Sequence, residues 1–220
     1  MNGAVLRSAL ASESQLHPNV YDDAILDVYR RSLAQHGLVR ISPILRPGLA
    51  AELVEACRDL PLQTRYFQAQ EDLSLSCDIG VAETPDLEQP TCIYQLMHAL
   101  CVELPMVVKC LVGQEVERID NHLVHLWSLE KGSYVDTGQS LSPHGLDAWL
   151  GLTAATWPTE YGGHTLWSVA GSNTYTVAPG FDTLDLFTNG TFRIPMILQH
   201  VRALTVRTAF HYIGDSSDTK

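Results

Sequence analysis

Positive charge is scarce in this chain. Its 220 residues carry 14 Lys and Arg against 25 Asp and Glu, a formal net charge of -11. A nucleic-acid groove or an anionic membrane surface needs clustered cations, so neither is an expected partner. Cysteine is sparse as well. Cys57, Cys77, Cys92, Cys101 and Cys110 are odd in number and scattered, with no C-x-x-C pair, unlike a zinc knuckle or a secreted disulfide framework. Cys57, Cys101 and Cys110 fall in apolar helical patterns and are expected as small core residues. No apolar run reaches the ~18 residues of a membrane span, and the opening MNGAVLRSALASES is too polar for a signal peptide. Internal repeats are absent. So is a G-x-S-x-G elbow, which removes the hydrolase chemistry that depends on one.

What is present points to a folded globule. Hydrophobic residues make up 45% and charged ones 18%, a balance that excludes disorder. The expectation is a single cytoplasmic domain over 1–220, with 1–18 as a Ser/Ala-rich arm, helical support over 19–115 and strands over 116–215. Tyr21, Ile25, Val28, Tyr29 and Leu33 form a helical stripe that Gly37 ends. LVRI (38–41) reads as a short strand. A second helix starting near Pro47 is expected to bury Leu49, Leu53, Val54 and Cys57. Residues 62–85 read as loop and edge strand, and 86–112 as a long helix broken at Pro105. β-rich runs then recur at 148–157, 164–169, 173–178, 183–187 and 193–212, separated by Gly and Pro. Helices first and many short strands afterwards give an α+β chain whose second half is a sandwich or barrel.

The order of these pieces resembles the Fe(II)/2-oxoglutarate-dependent oxygenase superfamily. LAQHGLVRISPILRPGLAAELVEACRDLP (33–61) is similar to the family's opening helix, strand and helix. LVHLWSLEKGSYVDTGQ (123–139) is similar to its strand, glycine turn and strand, and LGLTAATWPTEYGGHTLW (150–167) to its "W…GG.l" segment. VAPGFDTLDLF (177–187) and VRTAFHYIGD (206–215) resemble its "P..G.lvlF" and terminal "R.a…W..D". The resemblance implies N-terminal helices packed on a double-stranded β-helix, a jelly-roll or cupin-like barrel.

It also implies an iron held by two histidines and a carboxylate. Counted from Gly132, the H-x-D/E motif falls on Thr137-Gly138-Gln139. The third ligand falls on Thr191 or Arg193, after Phe187. A neutral alcohol, a neutral amide and a permanently charged guanidinium are unsuited to the task. The basic residue that clamps 2-oxoglutarate in such enzymes matches Arg207. An Arg paired with a structural acid is an equal alternative for that position.

Other residues offer a rescue. His144 and Asp147 lie three apart, and His200 precedes the last strand, so these could supply a facial triad for Fe(II) beside 2-oxoglutarate. Without a metal or any other cofactor, which is the favoured reading, the barrel mouth remains a concave pocket. His144, Asp147 and Asp136 are its candidate acid–base groups. Tyr134, Gln139, Trp149, His164, Arg193 and Arg207 are the candidate contacts to a small anionic or carbonyl substrate. His125 and His211 are expected to pack, and His17, His36, His98 and His122 to sit at the surface or in caps. Phe192, Met196, Ile197 and Leu198 form an apolar run suited to plugging the mouth or covering it. A metal-independent isomerase, cyclase or lyase is favoured over an active oxygenase and over a non-catalytic scaffold or partner subunit.

Overall fold

The computed structural model describes residues 14–58, 63–67, 72–78, 91–118, 125–139, 142, 144–153, 156–169, 174–200 and 202–213. At 58, 63–67, 72–78, 118, 125, 136, 137 and 139 the backbone alone is described. The chain begins with a 3-10 turn, Pro18–Tyr21, and then helix α1, Asp23–His36. Asp22 caps that helix by accepting from the N–H groups of Ala24 and Ile25 at 3.0 and 3.4 Å. Gly37 ends it at φ 66°, donating to the Leu33 carbonyl at 2.8 Å. Of the expected stripe, Tyr21 and Leu33 are buried, Ile25 is half-buried and Tyr29 packs against the core, whereas Val28 is 53% exposed and Leu26 is buried in its place.

Strand β1, Leu38–Ile41, leads to α2, Leu49–Arg58, which buries Leu49, Leu53 and Cys57 one above another. Val54 is only half-buried. The stretch expected as loop and edge strand contains a hairpin, β2 (Gln63–Phe67) with β3 (Asp72–Asp78), and β2 forms the sheet edge.

Helices α3, Thr91–His98, and α4, Leu104–Val112, are joined by a π turn, Ala99–Glu103. The expected break at Pro105 is therefore a bulge within one continuous helix. Proline lacks the N–H an ordinary turn would use, and the wider turn just before it accommodates that loss. Thr91–Val112 spans 22 residues and is long and apolar enough to cross a membrane, contrary to the reading of the runs. Its Leu96, Leu100, Leu104, Val107, Val108 and Leu111 nevertheless face the protein core. The π turn also aims Glu103 inward. Its carboxylate accepts from the Gln15 N–H at 2.8 Å, the Leu16 N–H at 3.3 Å and the Tyr21 hydroxyl at 3.0 Å, fastening residues 14–21 to the helix.

Strands β4 (Val116–Arg118), β5 (His125–Leu129), β6 (Val135–Gln139), β7 (Gly145–Leu152), β8 (Thr165–Val169), β9 (Thr174–Val177), β10 (Phe181–Thr188), β11 (Gly190–Ile194) and β12 (Ala203–Tyr212) complete the fold. The run expected at 148–157 starts earlier and stops at Leu152. The run expected at 193–212 is interrupted, because Pro195 cannot continue the β11 ladder. The major sheet has the order β1-β10-β7-β12-β5-β3-β2, with β4 also on β12. The minor sheet has the order β6-β11-β8-β9. All pairings are antiparallel. Strands β5 to β12 alternate between the two sheets as the chain advances, except that β8 and β9 both lie in the minor sheet. This winding is a double-stranded β-helix carried on N-terminal helices.

Alternation along the major sheet separates two cores. Leu146, Ala148, Leu150, Leu184, Leu186, Leu204, Val206 and Phe210 meet the helices. Trp127, Trp149, Phe187 and Ala203 meet the minor sheet's Val135, Trp167, Val177, Phe192 and Ile194 inside the barrel.

Candidate functional site in the barrel interior

The barrel interior is built from aromatic side chains on both sheets. Trp149 stands edge-on to Phe192 at 4.9 Å between ring centroids, and Trp167 stacks on Phe187 at 4.2 Å. Arg207 projects from β12 among them. Its guanidinium carbon lies 4.3 Å from the Trp127 ring centroid, 4.4 Å from Trp149 and 4.9 Å from Phe192. Asp147 faces it across 3.6 Å; Arg207 is 3% exposed and Asp147 0%. Burial lowers the Arg207 pKa to about 10, against the opposing pull of Asp147, so the group remains a cation at neutral pH. Nε and Nη2 of Arg207 have no hydrogen-bond partner among the described residues.

On β11, Gly190, Phe192 and Ile194 point inward, while Thr191 and Arg193 are exposed. The inward residue facing β6 is thus Phe192, which corrects the expected third position. Phe192 pairs with Gly138, and the two strands shift register between Phe192 and Ile194. A Cβ added to Gly138 would lie 2.0 Å from the Phe192 ring. Gly138 leaves the space that this ring fills.

These residues do not fit an iron ion. Glycine and phenylalanine offer no donor atoms, and the neighbouring guanidinium would repel a dication. Among the described residues no group of His, Cys, Asp and Glu could hold a metal. The alternative triad is corrected on geometry. His144 lies beside the end of β12, its carbonyl accepting from the Tyr212 N–H at 3.3 Å, whereas His200 lies before Ala203 at the other end. A ten-residue strand separates such ends by roughly 30 Å. His200 instead meets the Lys131 ammonium at 3.2 Å, and both are exposed.

The remaining candidates are dispersed. Trp149 belongs to the aromatic core, and its Nε1 has no hydrogen-bond partner among the described residues. His164 lies against the Gly162 carbonyl at 3.2 Å. Tyr134 and Arg193 share a groove of about 340 Å³ with Leu166, Pro195 and Met196 on the outer side of the minor sheet. Asp136 and Gln139 lie on β6, with side chains outside the described ones, as is that of His125; His122 lies outside the described residues. Among the other histidines, His17 caps the 3-10 turn, His98 meets Glu103 at 2.9 Å, and His211 is half-buried and meets Ser142 at 3.0 Å. Of the apolar run, Phe192 and Ile197 are buried, and Met196 and Leu198 are exposed.

One end of the barrel retains a cavity of about 30 Å³, bordered by Trp127, Trp149, Thr165, Thr205 and Asp185. That is close to the volume of one water molecule. Arg40 grips Asp185 with a bidentate fork, both bonds 2.7 Å, on the side where a groove of about 440 Å³ opens past Tyr175 and His36. Burial pushes the Asp185 carboxyl up, and the fork only partly offsets this. Sequence reasoning did not single out Arg40, Asp185 or Trp127, and it named Phe192 only within the apolar run suited to plugging or covering the mouth. For Arg40 and Asp185, opposite charges on a strand of each half were the available signal.

The fold is that of the 2OG-Fe(II) oxygenases. A Pseudomonas putida prolyl-4-hydroxylase superposes with a TM-score of 0.62 at 18% identity, over 86% of this chain and 100% of that one. The epimerase SnoN from nogalamycin biosynthesis, described as non-heme and alpha ketoglutarate dependent, gives 0.64 at 15%, over 90% and 94%. A Trichoplax adhaerens prolyl hydroxylase gives 0.63 at 14%, over 84% and 89%. At these identities the likeness is one of fold. No protein-family model and no curated protein matches the sequence.

Proposed function

We propose that this chain is an oxygenase-fold protein that works without iron and binds a small anionic or carbonyl-containing metabolite at the barrel end. The observation that carries this reading is the Gly138–Phe192 pair, set beneath the Arg207 cation where both sheets face each other. No group of described His, Cys, Asp and Glu side chains could hold an iron ion there. The metabolite site is the cavity between Trp127 and Trp149, where Thr165, Thr205 and Asp185 bring polar groups onto apolar walls. Its present volume means that a metabolite binds only if the adjoining Ala178–Gly180 segment gives way.

Chemistry at such a site would be redox-neutral: proton transfer through the Asp185 carboxylate, with Arg40 holding its ionised form. The packed aromatic interior favours a second reading, a non-catalytic scaffold or partner subunit.

The two readings separate on ligand binding under chelating conditions. With EDTA present, small oxo acids and dicarboxylates, 2-oxoglutarate and succinate among them, are expected to raise the Tm. Thr205→Val should reduce that rise. A flat response across the panel would leave the scaffold reading.

A further inference from the structure

We infer that the centre of the barrel is a cation cage and that its occupant is the chain's own Arg207. Ring faces of Trp127, Trp149 and Phe192 lie 4.3, 4.4 and 4.9 Å from the guanidinium carbon, and the buried Asp147 supplies the counter-charge at 3.6 Å. The negative faces of aromatic rings attract cations, most strongly where water is excluded. A guanidinium suits such a cage better than an ammonium because it is planar, stacks on rings and is weakly hydrated. Nε and Nη2 have no hydrogen-bond partner among the described residues, which fits a group held by ring faces and the Asp147 charge.

The cage is assembled across both sheets. Trp127, Trp149 and Arg207 come from β5, β7 and β12, and Phe192 comes from β11. Arg207 pairs in register with His125 and with Trp149, which places it at the middle of the barrel. Gly138 belongs to the cage through the room it gives the Phe192 ring. Emptied of Arg207, the cage would be an acidic space walled by rings. It would recognise a free guanidinium-type cation and not a divalent metal, since rings provide no lone pairs and Asp147 provides one carboxylate.

Chemical rescue tests this. Arg207→Ala should lower the Tm by about 10 °C, as expected for a buried charge left without its partner. Millimolar methylguanidinium should then restore about 3 °C or more by occupying the vacated space. Urea and sodium chloride at the same concentration should restore nothing, and the wild-type protein should not respond to methylguanidinium. Absence of a methylguanidinium-specific recovery, or a larger recovery with Co(II), would overturn the cage. If Arg207→Ala does not fold, Arg207→Lys and Arg207→Met decide. The cage requires the Lys variant to have the higher Tm, because it keeps a cation beside Asp147. An equal or higher Tm for the Met variant would show an ordinary core position.

Discussion

Phe192 faces inward because β11 alternates strictly from Gly190 to Ile194, and β6 takes up one extra residue against it. Gly138 pairs with Phe192 and Val135 with Ile194, three steps on one strand against two on the other. Counting a few residues on from Phe187 does not reveal which face of β11 each residue takes, so the expected third-ligand position fell on Thr191 or Arg193, both outward. Arg207 was legible because VRTAFHYIGD (206–215) resembles the terminal segment in which oxygenases of this fold carry a basic residue. Asp147 was named as a candidate acid, but its pairing with Arg207 was not legible, since pairing between strands sixty residues apart leaves no local trace. Glu103 was equally hidden: three residues bond to it from a segment that reads as a loose arm. Burial pushes the Glu103 carboxyl up, but hydrogen bonds from Gln15, Ser14, Tyr21 and Leu16 outweigh this and hold it below the ordinary value of 4.5. A depressed carboxyl contributes stability above its unfolded pKa and loses it as pH falls through the folded value. Glu103→Gln should therefore lower the Tm at pH 7, with the gap from wild type closing below about pH 4.5. A gap unchanged down to pH 3 would contradict the assignment.

Among the elements, helix boundaries were read well where chemistry marks them and poorly where packing does. Gly37 is a clear case. It ends α1 in the left-handed region, and a Cβ there would meet the Thr188 hydroxyl at 2.5 Å. Gly37→Ala should cost about 1–2 kcal/mol for the backbone conformation alone, plus the clash. Equilibrium urea unfolding measures it, and a loss under about 0.5 kcal/mol would mean the turn can rearrange. The π turn before Pro105 shows the opposite limit. Proline signalled a break, yet the buried leucines and valines on either side keep one helix axis, and the bulge absorbs the missing N–H.

At the level of the whole molecule, strand pattern and order gave an α+β chain ending in a sandwich or barrel, and the resemblance to oxygenase segments narrowed this to a double-stranded β-helix. Helices cover one face of the major sheet and aromatic rings fill the other. What a sequence of this kind conceals is whether the barrel's centre is a site or a core, since both use inward residues on the same strands. Here the inward residues are rings around a guanidinium. The decisive measurement is an anaerobic titration of the metal-free protein with Fe(II) and 2-oxoglutarate, followed by visible absorption. No metal-to-ligand charge-transfer band should develop while the protein stays folded. Growth of that band to one equivalent of iron would contradict the account.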